Sequence, residues 1–458
     1  MARLFAMHNV DVTIITTPAN ATFQTSIYND SSRGRAIRIH LVKFPQIPGL
    51  PHGLENVDAD TPQDMNSKIY QGLLLLKDDF QQLIRDMKPD FIVTDMFYPW
   101  SVDIAAELGI PRLNCTGGSY FSHAARNSIE QFAPHVNVGS DDESFLLPGL
   151  PHKVEMTRSQ LSDWVKDPNL EFGYWMKVIK DADRKSYGSL FRSFYELEGT
   201  RSWSLGPVSL WVNQDDFDKA NRGCAKEKKE EHGVLKWLDS KEDNSVVYVS
   251  FGSMMNKFPI SQHIEIAHAL EDSGYDFIWV VKKTEEVDEY GILEQFEKRV
   301  KESNKGYLIW GWAPQLVILE HFAIGTVVTH CGWNTTLESV YMSLPMVTWP
   351  LFAEQFYNEK LLVDVLKIGV PVGAKEWKNW NEYRDKVVKR EDIGKAIALL
   401  MDGREKCLEI RKRVNELSDA AKKTIKVGGS SHTKLKELIE ELMLLKHQKA
   451  NHEMKGEV

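Results

Sequence analysis

The sequence has few cysteines, and their spacing fits neither a disulfide framework nor a metal site. Among 458 residues there are four, and no two of them form a CxxC pair: Cys115, Cys224, Cys331 and Cys407. Scattered cysteines of this kind are typical of proteins from a reducing compartment. The sequence therefore predicts a cytoplasmic protein without structural disulfides or a bound zinc ion.

Long apolar runs and surplus positive charge are also lacking. No stretch approaches the roughly 18 apolar residues that a membrane-spanning helix needs, and the first residues lack the apolar region of a signal peptide. The formal net charge is −9, so a nucleic-acid partner is not expected. A length of 458 residues is too great for one hydrophobic core and predicts two or three domains.

What the sequence does contain is an alternation of short β-branched runs and helical segments. In the second half, five runs are too short for helices and are bounded by turn residues, which predicts buried strands: 245–250, 276–281, 306–310, 325–329 and 345–348. Helices are predicted at 261–273, 290–303, 335–342, 391–402, 404–424 and 432–447. This alternation predicts an α/β protein with a doubly wound parallel sheet.

The first half shows a similar but less regular pattern. It predicts helices at 1–5, 65–87 and 100–108 and strands at 10–17, 35–44 and 91–94. We expect one domain over 1–205, a charge-dense linker over 206–233, a second domain over 234–431, and a closing helix with a frayed tail over 432–458. Asp95 follows a predicted strand, where α/β proteins bind ligands, although such an aspartate taken alone is more often a turn or capping residue.

Residues 312–355 combine these elements with polar side chains suited to an anion. Between two predicted strands, the sequence HCGWNTTLESV predicts a turn at Gly332 and then a helix capped by Asn334 or Thr335. Backbone N–H groups at the start of a helix, together with the helix dipole, favour negative charge. His330 ends the preceding strand on the same edge and adds a donor, so we predict an anion site there.

Other side chains of this stretch fit the remaining parts of a nucleotide-sugar. The indole of Trp312 can stack a flat base, which stabilises binding by about 1–3 kcal/mol. Glu338 can accept hydrogen bonds from a diol, and Glu354 and Gln355 offer polar atoms to sugar hydroxyls. Each of these residues alone is more often structural, but their occurrence together in one stretch favours a binding site.

The 44 residues 312–355 resemble, without a gap, the signature box of plant family-one UDP-dependent glycosyltransferases. The resemblance covers essentially the whole chain and is nearest to the branch that glycosylates triterpenes and flavonoids, including soyasapogenol glucuronide glycosyltransferases. It implies a GT-B fold, in which two Rossmann-like domains face each other across a cleft. The UDP-sugar would bind to the C-terminal half.

The resemblance also assigns roles to individual positions. They are Trp312 and the Ala313 backbone at the uracil, Gln315 and Glu338 at the ribose, Ser253, His330, Asn334 and Thr335 at the diphosphate with Gly332 in the same turn, and Trp333, Glu354 and Gln355 at the hexose. In this family glutamine at the last box position goes with glucose and histidine with galactose. Gln355 therefore favours UDP-glucose, with UDP-galactose as the alternative.

The reaction that the resemblance implies is an inverting transfer. A base deprotonates an acceptor hydroxyl, which attacks the anomeric carbon from the face opposite UDP, while helix N–H groups and His330 stabilise the leaving diphosphate. Neither a metal ion nor a cofactor is expected, since the UDP-sugar is the co-substrate and no DxD triplet presents itself as a metal-binding motif. The acceptor would be a lipophilic small molecule such as a triterpenoid saponin or a flavonoid, and we expect a monomeric enzyme.

The catalytic base is the one role for which the resemblance finds no matching residue in this sequence. In the family a first strand and a histidine-bearing loop precede a helix that resembles MARLF, and Asp95 would orient that histidine. His8, His40 and His52 lack this context, so we expect the catalytic histidine upstream of Met1. Loss of a general base costs about 10²–10⁴-fold in rate, which predicts a severely impaired chain.

Two other interpretations follow from the same residues. A truncated, non-catalytic relative would bind the UDP-sugar without transferring it. An NAD-dependent oxidoreductase would need a GxGxxG turn after a strand, and the sequence contains none.

Overall fold

The computed structural model describes residues 1–21, 37–57, 61, 63–199, 203–212, 231–253, 258–282, 291–379, 382 and 386–456. The chain forms two compact units. Unit 1 contains Met1–Gly117, Glu171–Val212 and Lys423–Val458, and unit 2 contains Gly118–Leu170 and Asn213–Lys422. The predicted linker at 206–233 lies largely outside the described residues, and the predicted domain limits stay predictions.

The described strands are numbered in chain order. They are β1 Val12–Thr16, β2 Ile37–Leu41, β3 Ile92–Asp95, β4 Arg112–Cys115, β5 Ser144–Leu146, β6 Glu155–Thr157, β7 Gly188–Phe191, β8 Trp203–Ser204, β9 Val246–Ser250, β10 Asp276–Val281, β11 Gly306–Trp310, β12 Ile324–Thr329, β13 Met346–Thr348 and β14 Gly369–Pro371. All five strands predicted in the second half are present, with limits that shift by at most one residue.

The described α-helices are α1 Ala2–Ala6, α2 Gln63–Leu75, α3 Lys77–Met87, α4 Ser101–Glu107, α5 Tyr120–Phe132, α6 Asp163–Lys166, α7 Glu171–Lys185, α8 Tyr195–Glu198, α9 Val208–Val212, α10 Glu231–Leu238, α11 Ile260–Ser273, α12 Ile292–Ser303, α13 Gln315–Glu320, α14 Trp333–Tyr341, α15 Gln355–Lys360, α16 Arg390–Met401, α17 Glu405–Thr424 and α18 Ser430–Gly456. Short 3₁₀ turns cover Pro18–Asn20, Pro134–Val136 and Arg158–Gln160, and a π turn, Leu361–Val365, continues α15.

Unit 1 contains two parallel sheets, the pair β1–β2 and a four-stranded sheet in the order β3-β4-β7-β8. Its main core joins Leu4 and Phe5 of α1 and Leu113 of β4 to Leu435 and Leu438 of α18, all of them buried. The predicted closing helix therefore belongs to the core of this unit.

Unit 2 is built on a six-stranded parallel sheet in the order β11-β10-β9-β12-β13-β14. Every residue of the central strands β9 and β12 is buried, as expected for parallel strands covered by helices on both faces. The chain starts at β9, adds β10 and β11 on one side, and then returns to add β12 on the other. The order therefore reverses between β9 and β12, and ligands of open α/β sheets bind beside such a point.

Three sequence predictions about helices were wrong. The helix predicted at 65–87 is two helices, α2 and α3, because the chain turns at Leu76, which is buried against Phe44 and Phe80. The tail predicted to fray after 447 continues as helix to Gly456, and Lys449 Nζ donates to Leu108 O at 2.5 Å.

The third correction concerns the cap of α14. The helix begins at Trp333 with Gly332 as its N-cap, so neither Asn334 nor Thr335 caps it. Thr335 instead lies inside the first turn, buried, where its Oγ1 accepts a hydrogen bond from Gln315 Nε2 at 3.2 Å. The side chain that the sequence assigned to a cap therefore serves a contact with α13.

Within the part of the chain that the structure describes, no helix combines the length and the apolar character needed to cross a membrane. The three described cysteines, Cys115, Cys331 and Cys407, are free thiols.

Candidate functional site

The carboxyl ends of the unit 2 strands line up at one edge of the sheet. Thr329 at the end of β12 pairs with Ser250 of β9 and Thr348 of β13, and Val281 at the end of β10 pairs with Trp310 of β11. Because the strands are parallel, the segments that follow them emerge on the same side. Those segments carry all twelve predicted donor-binding residues.

His330 lies in a narrow slot between two glycines. A Cβ atom at Gly252 would come within 2.7 Å of His330 Nε2, and one at Gly332 within 2.3 Å. Gly252 also has a φ of +82°, a conformation that residues with a side chain rarely adopt. The turns after β9 and β12 therefore approach the imidazole as closely as backbone can.

The surroundings of His330 keep its ring neutral. Burial, and secondarily the charge of Lys282, lower its pKa from 6.5 to about 4. Its Nδ1 atom is buried without a hydrogen-bond partner among the described residues. A neutral imidazole carries one N–H donor and one acceptor nitrogen, so His330 can donate to an anion without bearing charge.

The turn between β12 and α14 presents the start of a helix to the same edge. Cys331 has a left-handed φ of +63°. Its N–H donates to Thr329 Oγ1 at 3.2 Å, and its carbonyl accepts from Asn358 Nδ2 at 2.9 Å. Gly332 has no side chain to cap α14, so the dipole and first-turn N–H groups of this helix favour an anion beside His330.

Two predicted sugar-contact and phosphate-contact residues at this turn differ in exposure. The Trp333 side chain is buried, only 2% exposed, whereas Asn334 is exposed. Trp333 is therefore placed to offer its backbone N–H, and Asn334 its side-chain amide.

Gln315, Thr335 and Glu338 form one hydrogen-bonded group. Gln315 Nε2 donates to Glu338 Oε2 at 2.7 Å as well as to Thr335 Oγ1. Glu338 is a carboxylate only 1% exposed, and a buried carboxylate needs donors around it. This group is suited to accept hydrogen bonds from a diol. Trp312 and Ala313 precede it as half-buried residues after β11.

At the other end of the edge, the start of α15 brings Glu354 and Gln355 into place. Gln355 Oε1 accepts from the backbone N–H groups of Leu351 at 2.9 Å and Phe352 at 3.0 Å. With its oxygen engaged in this way, the side chain has its amide nitrogen as a donor. Glu354 lies close to Gly118, whose added Cβ would meet Glu354 Cγ at 3.3 Å.

Asp95 lies in unit 1, exposed at the carboxyl end of β3. Its Oδ1 accepts from Phe97 N at 3.0 Å, which is the turn contact that a lone aspartate predicts. Of the early histidines, His8 packs against Trp211 and His432, and His40 and His52 are exposed. The role of Asp95 as partner of the catalytic histidine stays a prediction.

Sequence reasoning missed two residues at this edge, Lys282 and Asn358. Lys282 directly follows the predicted strand 276–281, and its position at a strand end was a usable signal. Asn358 lies outside the 312–355 stretch and contacts it only in the folded chain, through its hydrogen bond to Cys331 O. Nothing in the sequence pattern therefore indicated a role for it.

Comparison with known proteins matches this chain to one family. Residues 188–372 match the model described as UDP-glucoronosyl and UDP-glucosyl transferase. The chain is 62% identical to soyasapogenol B glucuronide galactosyltransferase of Glycine max, an alignment that covers 98% of this chain and 93% of that protein.

Solved structures of UDP-glycosyltransferases also match this chain. Glycyrrhiza uralensis UGT73P12 complexed with glycyrrhetinic acid 3-O-monoglucuronide matches with a TM-score of 0.95 and 67% identity, covering 99% of this chain and 94% of that one. A UGT transferase from Siraitia grosvenorii in complex with UDP matches with a TM-score of 0.70 and 25% identity, covering 94% of this chain and 100% of that one.

The chain therefore belongs to the UDP-glycosyltransferase family and is a hexosyltransferase-class enzyme with the α/β GT-B fold. The predicted family, fold class and enzyme class are confirmed. Identity over nearly the whole length supports a transferase rather than the non-catalytic relative, and it excludes the oxidoreductase.

Proposed function

We propose that this chain transfers a hexose from a UDP-sugar to a hydroxyl of a triterpenoid glucuronide. The observation that carries the proposal is the alignment of five strand ends of unit 2, which gathers an aromatic platform, a buried carboxylate, a neutral imidazole at a helix start, and Gln355 along one edge. The acceptor class is that of two similar proteins described above, the soyasapogenol B glucuronide galactosyltransferase and the protein complexed with glycyrrhetinic acid 3-O-monoglucuronide.

In the proposed reaction, the donor lies along this edge in the order uracil, ribose, diphosphate, hexose. Trp312 stacks the uracil beside the Ala313 backbone, and Gln315 with Glu338 holds the ribose. Ser253, His330, Asn334 and Thr335 contact the diphosphate around the turn at Gly332, and Trp333, Glu354 and Gln355 contact the hexose.

The leaving UDP gains negative charge as the glycosidic bond to phosphate breaks. Preorganised N–H donors that face developing charge lower the barrier most, and here the first turn of α14 and the neutral His330 provide them. We propose that the acceptor hydroxyl attacks with inversion and that Asp95 orients the base that removes its proton. The UDP-sugar serves as co-substrate without a further cofactor, in a monomeric cytoplasmic enzyme.

The transferred sugar is the open choice. Gln355 favours glucose, because glutamine at this position goes with glucose in the family, and the Leu351 and Phe352 N–H groups hold its side chain in place. Galactose is the second candidate, because the relative of 62% identity is a galactosyltransferase.

The test is a product assay with the purified chain. UDP-glucose, UDP-galactose and UDP-glucuronate are each incubated with a triterpenoid monoglucuronide or with a flavonol, and products are identified by liquid chromatography and mass spectrometry. We expect a hexose added to the triterpenoid glucuronide, from UDP-glucose in preference to UDP-galactose, and the rate of this transfer tests the impairment that the sequence predicts. UDP binding without transfer to either acceptor would contradict the proposal and favour a non-catalytic role.

A further inference from the structure

The proposed diphosphate site consists of neutral groups. Ser253, Asn334 and Thr335 have uncharged side chains, and burial keeps His330 neutral at pH 7. The dipole of α14 supplies only a partial charge, about half an elementary charge. A diphosphate carries negative charge on both phosphates, so the site as predicted leaves most of that charge unbalanced.

Lys282 places an ammonium group beside the proposed diphosphate site. It follows β10 directly, at the edge where Val281 pairs with Trp310, and its side chain is half-buried. Its Nζ donates to the carbonyl of Ser253, and it lines the same small cavity as Phe251 and Gly252. Its charge also reaches His330, since it contributes to the lowered pKa of that ring.

We propose that Lys282 is a donor-binding residue whose ammonium contacts the diphosphate of the UDP-sugar. This inference rests on the proposed function. An ammonium group has three donors, so Lys282 can keep its bond to Ser253 and still donate to a phosphate oxygen. It would bind the substrate and also stabilise the charge that develops on the leaving UDP.

A purely structural role for Lys282 makes a different prediction. If it only fixes the turn at Ser253, a neutral side chain that can still donate to the Ser253 carbonyl, as in Lys282→Gln, should keep the UDP affinity. If its ammonium binds the diphosphate, Lys282→Gln should weaken UDP as much as Lys282→Met does, and uridine, which lacks phosphate, should be unaffected.

The experiment measures UDP and uridine binding by calorimetry for the wild type, Lys282→Met, Lys282→Gln and Lys282→Arg. Lys305→Met is the control, because it removes the same charge from a residue that is 61% exposed, pairs with Asp276 and precedes β11, at the opposite edge of the sheet. We expect Lys282→Met to weaken UDP about 10- to 100-fold, as for loss of a charged hydrogen bond, with uridine unchanged. Lys282→Arg should retain most of the UDP affinity, and Lys305→Met all of it.

Three results would overturn the inference. A loss of UDP affinity in Lys282→Met that is absent in Lys282→Gln would make Lys282 a turn-fixing residue, and an unchanged UDP affinity in Lys282→Met would remove it from the site. A wild-type protein that does not bind UDP would overturn the proposed function and this inference with it. A further readout is the His330 pKa measured by NMR, which should rise in Lys282→Met because the nearby positive charge is gone.

Discussion

The residues that surround His330 are small for a steric reason. Its ring lies so close to the backbone at Gly252 and Gly332 that neither position has room for a methyl group. Since the backbone at Gly332 has an ordinary φ of −63°, only the contact with the ring, and not the conformation, requires glycine there.

Gly332→Ala should therefore displace the imidazole and weaken UDP binding by about tenfold or more, the loss expected for a hydrogen bond to a charged group. Gly394→Ala is the matched control, because Gly394 lies in α16 with nothing within 4 Å of its added Cβ. The control should stabilise the protein by about 0.5–1 kcal/mol and leave UDP affinity unchanged. Calorimetric titration with UDP measures both affinities. Equal affinities for the two variants would contradict the steric role of the slot.

His330 should also make stability depend on pH. Its pKa is about 4 in the folded protein and near 6.5 when exposed, so between these values the unfolded chain binds more protons than the native state. Stability contributed by the neutral ring is therefore present above pH 6.5 and is lost as the pH falls toward 4. Urea unfolding at pH 7.5, 6 and 5 should show a smaller decline for His330→Gln than for the wild type. Parallel declines would show that the ring does not titrate in this way.

At the scale of elements, one side chain joins three segments of the site. Asn358 in α15 is fully buried; its Nδ2 donates to Cys331 O, and its Oδ1 accepts from Ser119 Oγ at 2.7 Å. Ser119 in turn caps α5, accepting from Ser122 N at 2.9 Å. Asn358 therefore fixes the left-handed turn that starts α14 against the start of α5.

Asn358→Leu keeps the volume but removes these two hydrogen bonds and a longer one to Glu354 Oε1 at 3.5 Å, so the turn at Cys331 should lose its fixed position. We expect the KM for the UDP-sugar to rise by about tenfold and stability to fall by about 1–3 kcal/mol, because buried partners are left unsatisfied.

Ser418→Ala provides the comparison, since Ser418 is equally buried and donates to Tyr341 O at 2.6 Å at the far end of α14. It should lose stability without a change in KM. If KM rises equally in both variants, the effect of Asn358 is on helix α14 in general and not on its first turn.

Prediction from sequence succeeded where the pattern is local. The strands of unit 2 are short β-branched runs between turn residues, and a buried parallel sheet imposes that composition on each run separately. The break at Leu76 and the true start of α14 were missed because both depend on tertiary contacts, burial against Phe44 and Phe80 in one case and the Gln315–Thr335 hydrogen bond in the other.

The candidate site was predicted in the same uneven way. Residues inside 312–355 were found because they form one continuous stretch that resembles a family. Lys282 and Asn358 come from other segments, and the register of the sheet and the packing of α15 bring them to that stretch. No spacing in the sequence encodes that proximity.

At the scale of the molecule, two substitutions in α18 test whether the stability of unit 1 and the binding of UDP are independent. Leu438 of α18 is fully buried in the core of unit 1, whereas Leu444 on the same helix is 56% exposed. Leu438→Ala should cost about 2–5 kcal/mol, and Leu444→Ala little.

All twelve predicted donor residues lie in unit 2, so UDP affinity should be the same in both variants. Thermal unfolding with hydrogen exchange should place the loss of protection in unit 1. A lower UDP affinity in Leu438→Ala would show that the donor site depends on the core of unit 1.

The core of unit 1 also sets the order in which the protein can complete its folding during synthesis. Leu4 and Phe5 leave the ribosome long before Leu435 and Leu438, which share their core and are added roughly 430 residues later. At about 5–20 residues per second the interval is on the order of 20–90 s. The sheet of unit 2 draws all its strands from 246–371 and is complete well before then. The nascent chain therefore keeps the apolar face of α1 without its α18 partner for most of translation, which makes this face a natural place for a chaperone to bind.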